Sequence, residues 1–349
     1  MSFHIPNSSF LIAFEEVGKL QELINITTNM QDKKILVIGD IVADVYVDGR
    51  ISRISREAPV LILEKAGERV VAGGAANVVA NAATLGGEVY AVGVIGDDSY
   101  AESLRRIFKD LDVHIEGLVR DKSRPTISKT RIIAGGRATV SQQIVRIDSE
   151  SKEPLSKKVE AELIAKIDKI LPKVDGIIMS DYGSGTITQN ARKLITRYAG
   201  TQKIPNIVDS RYNIGDFEGV GYVKQNDSEL GAFVGHPLND VTDLIDAGAK
   251  ILAKLNVHGV LITRGEMGMT LFERNGAAHH IPVSDMSEVY DVSGAGDTCV
   301  AAFLLALTAG AQPSVAAKIS NYAAGLAVRK MGTSTVSATE LVAALERAR

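Results

Sequence analysis

The sequence is poor in residues that cross-link or anchor a chain: it has one cysteine, Cys299, no tryptophan, and 5% aromatic residues. A single cysteine cannot form an internal disulfide, which is typical of a reducing compartment and favours the cytoplasm. No apolar run approaches the length of a membrane span, so we expect no membrane partner. The six histidines show neither an HExxH motif nor paired metal-ligand spacing, which argues against a zinc enzyme.

An excess of basic charge is also missing. The 39 lysines and arginines are balanced by 42 acidic residues, so the net charge is -3 and no broad basic surface is expected. This excludes nucleic acid as the main partner. The composition is typical of a globular protein, with 45% hydrophobic and 23% charged residues. A length of 349 residues is enough for one large domain or two modest ones.

The N-terminal segment has apolar residues at helical spacing. They predict an amphipathic helix over residues 8–26, within a helical extension of residues 1–33; its apolar positions are Phe10, Phe14, Val17, Leu20, Leu23 and Ile24. Glu15 and Glu16 follow the first apolar stretch directly, and no small-residue cleavage site is present, so we do not expect a secretory signal.

From residue 34 to 349 the pattern predicts one α/β domain. Short apolar strands alternate with helical segments, and each strand stops at polar residues or glycine; the strands are at 34–38, 88–94, 176–179, 204–208 and 257–263, the helices at 75–85 and 100–111. This alternation predicts a mostly parallel central sheet covered by helices on both faces, a three-layer α/β/α fold. Ligand-binding loops are expected at the carboxyl ends of the strands.

Two stretches, about residues 41–70 and 118–148, interrupt this alternation. They carry strand-like patterns without a helix, as in Val60-Leu-Ile-Leu63 and in residues 127–133. We interpret them as a small inserted β-sheet. A sheet with one free face must cover it, so it forms either a lid over a site or the contact of a homodimer.

The most specific motif is Asp291-Val-Ser-Gly-Ala-Gly-Asp-Thr298, which precedes an apolar helical run at residues 299–309. Its glycines leave backbone N–H groups uncovered where a helix begins, an arrangement that binds phosphate oxygens. Asp297 at the edge of these amides is placed to take a proton from an attacking hydroxyl. The alternative is a glycine-rich turn with Asp297 as an ordinary helix cap. The motif is neither a Walker A loop nor a dinucleotide fingerprint.

Three further clusters each have a functional and a plain structural interpretation. Gly73-Gly74-Ala-Ala-Asn77, with Asp44, would bind sugar hydroxyls, or would be a tightly packed helix start and a solvated carboxylate. Asn226-Asp-Ser-Glu229 would hold the water shell of Mg²⁺, or would be a helix capping box. Thr263-Arg-Gly-Glu-Met-Gly268 would open a slot for a nucleotide base, or would be a β-turn.

In this order, the four clusters resemble the ribokinase-like (PfkB) carbohydrate kinases over about residues 34–345. The resemblance implies an ATP-dependent sugar kinase with Asp297 as the base and Gly294, Ala295 and Gly296 as the anion hole. It implies that Asn226 and Glu229 organise Mg²⁺ through water. It assigns the nucleotide to Asn226, Thr263, Arg264, Gly265, Gly268 and Asn321, the sugar to Asp44, Gly73, Gly74 and Asn77, and a K⁺ ion to Asp291, Ser293 and the loop around Gly332.

Within that family the sequence is most similar to the heptose 7-phosphate kinases of the ADP-heptose pathway, which act at the anomeric oxygen. The stretches that carry this similarity are 39–44, 52–59, 142–148, 180–183, 288–292 and 332–337. An anionic substrate makes Lys129, Arg131 and Arg146 candidate phosphate ligands, or else they are exposed strand charges.

The sequence departs from the family pattern at several positions on the expected substrate side. Val45 stands where the family usually has arginine, Ser184 where it has lysine, Arg56 where it has proline, and Asp209-Ser-Arg211 where it has Asp-Pro-Lys. A kinase for another sugar, such as ribose or fructose, is therefore the alternative. A non-catalytic sugar- or nucleotide-binding protein conflicts with the intact Asp297, and an oxidoreductase conflicts with the absence of GxGxxG after the first strand.

Overall fold

The computed structural model describes residues 2–4, 11–13, 20–135, 141–284 and 289–347. Strands in these ranges are β1 Ser2–His4, β2 Leu11–Ala13, β3 Lys34–Gly39, β4 Ile41–Ile54, β5 Leu61–Gly74, β6 Glu88–Ile95, β7 His114–Arg120, β8 Ile127–Gly135, β9 Gln142–Ser149, β10 Gly176–Asp181, β11 Asn206–Ser210, β12 Tyr222–Asn226, β13 Gly259–Thr263, β14 Met269–Glu273 and β15 Ala277–Ile281. Helices are α1 Leu20–Asn29, α2 Ala75–Thr84, α3 Ser99–Asp110, α4 Lys157–Ile170, α5 Gln189–Gln202, α6 Asp227–Val234, α7 Val241–Leu255, α8 Ala295–Thr308, α9 Pro313–Ala327 and α10 Ala338–Arg347.

The main sheet has the order β1-β2-β15-β14-β13-β12-β11-β10-β3-β6-β7 in the described residues. Its strands from β13 through β12, β11, β10, β3 and β6 to β7 are all parallel, whereas β14 pairs antiparallel with β13 and β15 pairs antiparallel with β14. The predicted mostly parallel sheet is confirmed. Parallel strands end at one edge, so their carboxyl termini together form a single line of loops.

Helices cover both faces of this sheet, as the three-layer prediction requires. Successive residues of a strand point to opposite faces, so Ile35 and Val37 pack into the layer of α1, α2, α8, α9 and α10. Leu36 and Ile38 pack on the other side, into the layer of α4, α5 and α7. None of the helices in the described ranges combines the length and apolar character needed to cross a lipid bilayer.

A second sheet, called the lid sheet below, has the order β5-β4-β8-β9. It leaves the main sheet directly, because only Asp40 separates β3 from β4, and it returns through Gly74 into α2. Most of the predicted insert at 41–70 and 118–148 lies in it. Residues 118–120 instead finish β7 of the main sheet, and 136–140 lie outside the described residues.

The predicted helix over residues 8–26 is wrong at residues 11–13, which form β2 and pair in parallel with β15 near the edge of the main sheet. The predicted helical extension of residues 1–33 is also wrong at residues 2–4, which form β1. The described helix α1 covers Leu20–Asn29. The helical spacing holds from Leu20 onward, and Leu23 is buried in the core. A short apolar run also satisfies an open sheet edge, and such pairing overrides the local pattern. Residues 8–10 and 14–19 lie outside the described residues.

Candidate active site

A cleft of about 770 Å³ opens at the carboxyl edge of the parallel strands. It is lined by residues that follow or end β10, β11, β12 and β13 and by the start of α8; the polar ones include Asp181, Tyr182, Asp209, Arg211, Lys224, Asn226, Glu229, Thr263, Ser293, Asp297 and Asn321. The sequence clusters around residues 226, 263 and 294 therefore meet in one place, as the family order implies.

Asp297 lies in the first turn of α8, with 6% of its surface exposed. Both of its carboxylate oxygens accept a hydrogen bond from a neutral side chain. Asn77 Nδ2 donates to Oδ2 and the Tyr182 hydroxyl donates to Oδ1, each at 2.8 Å. Burial raises the pKa of Asp297 to about 6, and these two hydrogen bonds oppose the rise. The carboxylate is thus held in a fixed orientation and is mostly ionised at neutral pH.

The start of α8 presents free donors beside Asp297. Gly294 caps the helix in the left-handed region, with φ of 83°, and no acceptor in the described part of the chain meets the N–H groups of Gly294 and Gly296. The Ala295 N–H makes a long bond of 3.4 Å to Val292 O. Uncovered amides at a helix N-terminus bind anionic oxygens. The structure supplies the arrangement expected of an anion hole, with Ala295 its least available donor.

A buried cation adjoins this helix start. Lys224 in β12 lies with its Nζ 2.8 Å from Asp209 Oδ2, and a Cβ at position 296 would lie 2.9 Å from that Nζ, so a side chain there would displace the ammonium. Burial disfavours the ammonium charge, but the carboxylates of Asp209 and Glu229 outweigh it and raise the pKa of Lys224. Lys224 therefore stays protonated, and its ammonium, paired with Asp209, lies next to the free amides.

Asn226 and Glu229 form a capping box, the structural alternative raised for this motif. Asn226 Oδ1 accepts the Glu229 N–H at 2.7 Å, and Glu229 Oε2 accepts the Asn226 N–H at 2.9 Å. The other oxygen, Oε1, remains toward the cleft, 4.0 Å from Arg211 Nε. Burial raises the pKa of Glu229, and Lys224 opposes this.

A magnesium ion bound through water fits these residues, whereas direct coordination does not. No group of three or more carboxylate, histidine or cysteine side chains in the described ranges is arranged to hold a metal. Mg²⁺ keeps most of its waters and needs few protein ligands. Glu229 and Asp209 are among the carboxylates that line the cleft and could accept hydrogen bonds from such waters.

The predicted nucleotide residues divide into two groups. Thr263, Gly265, Gly268 and Asn321 line the cleft, and Asn321 Nδ2 also donates to Pro282 O at 2.7 Å. Arg264 is not among the lining residues. Its Nε is buried without a hydrogen-bond partner among the described residues, and its charge acts with burial to lower the pKa of His280. The β-turn alternative raised for this motif is present, since β13 and β14 form an antiparallel pair around it. The slot for a nucleotide base stays a prediction.

The predicted sugar side lies on the lid sheet and at the start of α2. Asp44 is buried rather than solvated: its Oδ1 accepts from Arg131 Nη1 at 2.7 Å and its Oδ2 from the Thr333 hydroxyl at 2.8 Å. Gly73 passes directly beside Asp44, and Gly74 ends β5. Asn77 is engaged with Asp297, so its predicted contact with a sugar stays a prediction.

The three candidate phosphate ligands occupy different environments. Arg131 is tied to Asp44, and Arg146 forms a two-bond pair with Asp148 on the exposed strand β9. Lys129 has no ion pair within the described ranges; its Nζ lies 5.6 Å from the centre of the Tyr182 ring. The lid face that bears Lys129 therefore looks toward the base.

The region predicted for a monovalent cation is held by hydrogen bonds. Asp291 Oδ1 accepts the Ser293 N–H at 2.9 Å and Oδ2 accepts the Gly332 N–H at 3.0 Å. Burial opposes ionisation, but these amides outweigh it and lower the pKa of Asp291. The carboxylate joins two loops, and its role toward a cation stays a prediction.

Sequence reasoning did not assign a role to Tyr182, Lys224 or Asp209. Tyr182 follows β10 and Asp209 lies near the end of β11, and polar residues at the ends of parallel strands are the signal that could have selected these two. Lys224 is a charged residue inside an otherwise buried strand, a position where lysine is rare unless it is paired. A lysine at such a position is a signal that the sequence alone provides.

Comparison with protein families gives a match to one model, described as pfkB family carbohydrate kinase, over residues 32–340. Among curated proteins, the chain is 41% identical over 316 residues to the bifunctional protein HldE of Azorhizobium caulinodans, covering 90% of this chain and 64% of that protein. It is 38% identical over 322 residues to the bifunctional protein HldE of Geobacter metallireducens, covering 92% and 64%. The chain thus spans less than two thirds of the length of these relatives.

Solved structures share the fold at low sequence identity. The ribokinase of Arabidopsis thaliana, complexed with ribose and ATP, aligns with a TM-score of 0.70 and 20% identity over 90% of this chain and 99% of that one. Phosphofructokinase-2 of Escherichia coli, in complex with potassium, aligns with a TM-score of 0.71 and 18% identity over 91% and 99%. The three-layer fold with a separate small sheet is confirmed.

Proposed function

The chain belongs to the pfkB family of carbohydrate kinases, and on that premise we propose that it transfers the γ-phosphoryl group of ATP to the anomeric hydroxyl of heptose 7-phosphate. ATP-dependent phosphorylation of a sugar follows from the family. The choice of heptose 7-phosphate is supported by the sequence stretches that resemble such kinases and by relatives named bifunctional protein HldE.

The observation that carries the reaction is the position of Asp297 beside the uncovered amides of α8. In this proposal Asp297 accepts the proton of the sugar hydroxyl while the hydroxyl oxygen forms a bond to the γ-phosphorus. The bond from that phosphorus to the ADP oxygen breaks at the same time. The amides of Gly294 and Gly296 and the ammonium of Lys224 stabilise the charge on the phosphoryl oxygens.

Metal ions complete the proposal. Mg²⁺ would neutralise the phosphates of ATP, held through water by Glu229 and Asn226. A K⁺ ion near Asp291 and Ser293 is supported by the potassium complex of the Escherichia coli phosphofructokinase-2 and by the family resemblance. In this chain Asp291 ties the loop before α8 to the loop at Gly332, so an ion there would steady the same helix start.

A phosphorylated substrate is supported by the charge on the lid sheet. Arg131 and Arg146 are cross-strand neighbours on β8 and β9, and Lys129 lies on the same face two residues away. Only Lys129 is free of an ion pair within the described residues, so it is the cation best able to bind an incoming phosphate. A neutral sugar would leave this charge without a partner.

An ATP-consumption screen over free sugars and sugar phosphates tests the proposal. We expect heptose 7-phosphate to give the highest kcat/KM, and free ribose and fructose to react poorly, because a neutral sugar cannot use the lid cations. A preference for a free sugar would contradict the heptose phosphate assignment while leaving the kinase chemistry in place.

The matched variant for this screen is Lys129→Met. Loss of one charge-assisted hydrogen bond predicts a rise in the KM for the sugar phosphate of about 10- to 100-fold, with the KM for ATP unchanged. Lys65→Met is the control, since Lys65 lies on β5 of the same sheet and is already paired with Glu68. An equal effect in both variants would assign the change to the lid as a whole.

We also propose a homodimer formed through the lid sheet. Several large apolar side chains on this sheet or its loops are exposed: Ile54, Val60, Leu61, Val145 and Ile147. Light scattering at micromolar concentration should give twice the 37.2 kDa of one chain, and the double variant Val145→Lys, Ile147→Lys should give the single mass. A wild-type mass of one chain would contradict the proposal.

A further inference from the structure

Two side chains in the described residues donate a hydrogen bond to Asp297: Asn77 lies on a helix and Tyr182 lies on a loop. It follows β10, and its hydroxyl donates to Asp297 Oδ1 at 2.8 Å. Two cations lie near its ring, Lys129 Nζ at 5.6 Å and Arg211 Cζ at 5.5 Å from the ring centre. Burial, with the nearby charges of Asp297 and Asp209, raises the pKa of Tyr182, so the phenol stays protonated and remains a donor.

The loop that carries Tyr182 is fastened by Asp40, which is wholly buried. Asp40 Oδ2 accepts the N–H groups of Tyr182 at 2.8 Å and Ser184 at 3.1 Å, and Oδ1 accepts that of Thr186 at 3.2 Å. Asp181 adds a second hold, since its Oδ1 accepts the Gly183 N–H and its Oδ2 accepts from the Ser210 hydroxyl. Three backbone N–H groups of the five-residue loop 182–186 donate to the Asp40 carboxylate, so the backbone of this loop is held in one conformation.

The two donors to Asp297 come from separate elements and therefore fix the carboxylate in a plane. Asn77 on α2 takes Oδ2, and Tyr182 takes Oδ1. Each carboxylate oxygen has two acceptor sites, so one on each oxygen remains for a substrate hydroxyl. Without Tyr182, Oδ1 would lose its only side-chain donor in the described residues and the carboxylate could rotate about its bond to Cβ.

We infer that Tyr182 is a positioning residue for the base, and that the buried Asp40 carboxylate holds Tyr182 in place by binding the amides of its loop. The inference rests on the proposed function, because it takes Asp297 as the base. It gives the Gly39-Asp40 pair at the end of the first strand of the domain a role that does not require contact with a ligand.

The inference predicts how Asp297 responds to loss of the hydroxyl. A donor to the ionised carboxylate favours ionisation, so Tyr182→Phe should raise the pKa of Asp297. The other groups facing Asp297 are Asn77, Asp209 and Lys224, and Tyr182→Phe leaves all three in place. A hydrogen bond to a charged group corresponds to a shift of about one pH unit or more.

The test is a pH titration of the aspartate side-chain carboxyl carbons by ¹³C NMR, which needs no turnover. The Asp297 signal is the one missing from Asp297→Asn, and the signal of Asp40, whose pKa burial also raises, is the one missing from Asp40→Asn. We expect the Asp297 midpoint to rise by about one pH unit or more in Tyr182→Phe. Tyr198→Phe, on helix α5 away from the cleft, should leave it unchanged.

Kinetics give the second readout. With the carboxylate free to rotate, kcat of Tyr182→Phe should fall at pH about 8, where the base is ionised in both proteins, with the KM for the sugar unchanged. With the base titrating one unit higher, kcat should fall about fivefold further at pH about 6. An unshifted midpoint, an unchanged kcat at pH about 8, or a rise in KM alone would overturn the inference. If the Asp297 midpoint shifts in Tyr182→Phe but the wild-type protein phosphorylates no sugar, the proposed reaction is overturned instead. If Tyr182→Phe does not fold, Asp40→Asn must show a shift in the same direction.

Discussion

Replacing Asp297 with asparagine is expected to lower kcat by about 10²- to 10⁴-fold, the usual contribution of a general base. Asparagine has the same shape, and its amide can still pair with Asn77 and Tyr182, but it cannot take the proton of the sugar hydroxyl. Nucleotide binding, measured by isothermal titration calorimetry, should be kept. Normal turnover by this variant would rule out the mechanism.

The same substitution should stabilise the folded protein at neutral pH. The pKa of Asp297 is raised by burial from 3.8 to about 6, so folding favours its protonated form. The contribution of protonated Asp297 to the free energy of unfolding is fully present below pH about 4 and is lost as pH rises through about 6. At pH about 8 the wild-type chain holds a buried charge that Asp297→Asn lacks, which is worth on the order of 1–3 kcal/mol.

Two measurements check this pair of effects. Thermal unfolding should show Asp297→Asn more stable than wild type at pH about 8 and similar at pH about 4. The pH dependence of wild-type kcat should rise through pH about 6 and level off above it, because the ionised carboxylate is the active form. A variant both inactive and less stable at the higher pH would indicate disrupted packing rather than a lost base.

Replacing Lys224 with methionine is expected to have the second largest effect, a fall in kcat of about 10²- to 10³-fold. The ammonium lies against the helix start where the phosphoryl oxygens are proposed to bind, and methionine has similar length without charge. The KM for the sugar should change little, since Lys224 is not on the lid side of the cleft.

Folding must be separated from catalysis in this variant. Lys224→Met leaves Asp209 without its partner, and breaking a buried pair costs about 3–5 kcal/mol. The double variant Lys224→Met, Asp209→Asn removes both charges and should recover much of the stability lost, as measured by chemical denaturation. If the double variant also recovers turnover, Lys224 serves only the fold.

The fold, and the position of the site at one edge of the main sheet, were predictable from the sequence because both depend on local patterns. Apolar strands that stop at polar residues placed the loops of residues 226, 263 and 294 at one edge, and the cleft lies there. The family inferred from these motifs is confirmed. The prediction of an N-terminal helix was right from Leu20 onward and wrong at residues 11–13, because these pair with an open sheet edge, which no local pattern reveals.

The partners of Asp297 were not predictable in the same way. Asn77 and Tyr182 are 220 and 115 residues distant in sequence, and their meeting depends on how α2, α8 and the end of β10 pack in space. Asn77 was expected to face the sugar, and only the packed structure shows that its amide meets the carboxylate. The pair of Lys224 and Asp209 likewise depends on the register of β11 and β12.

The junction between the two sheets has a consequence for how the enzyme avoids wasting ATP. Asp40 is the only residue between β3 and β4, its carbonyl accepts the N–H of Ala75 where the chain returns, and its side chain fastens the Tyr182 loop. If the lid sheet moves relative to the main sheet, this junction is one of the places at which the chain would have to bend. A lid displaced from the cleft would therefore slacken the support of the base, and water entering an empty site would meet a poorly aligned carboxylate.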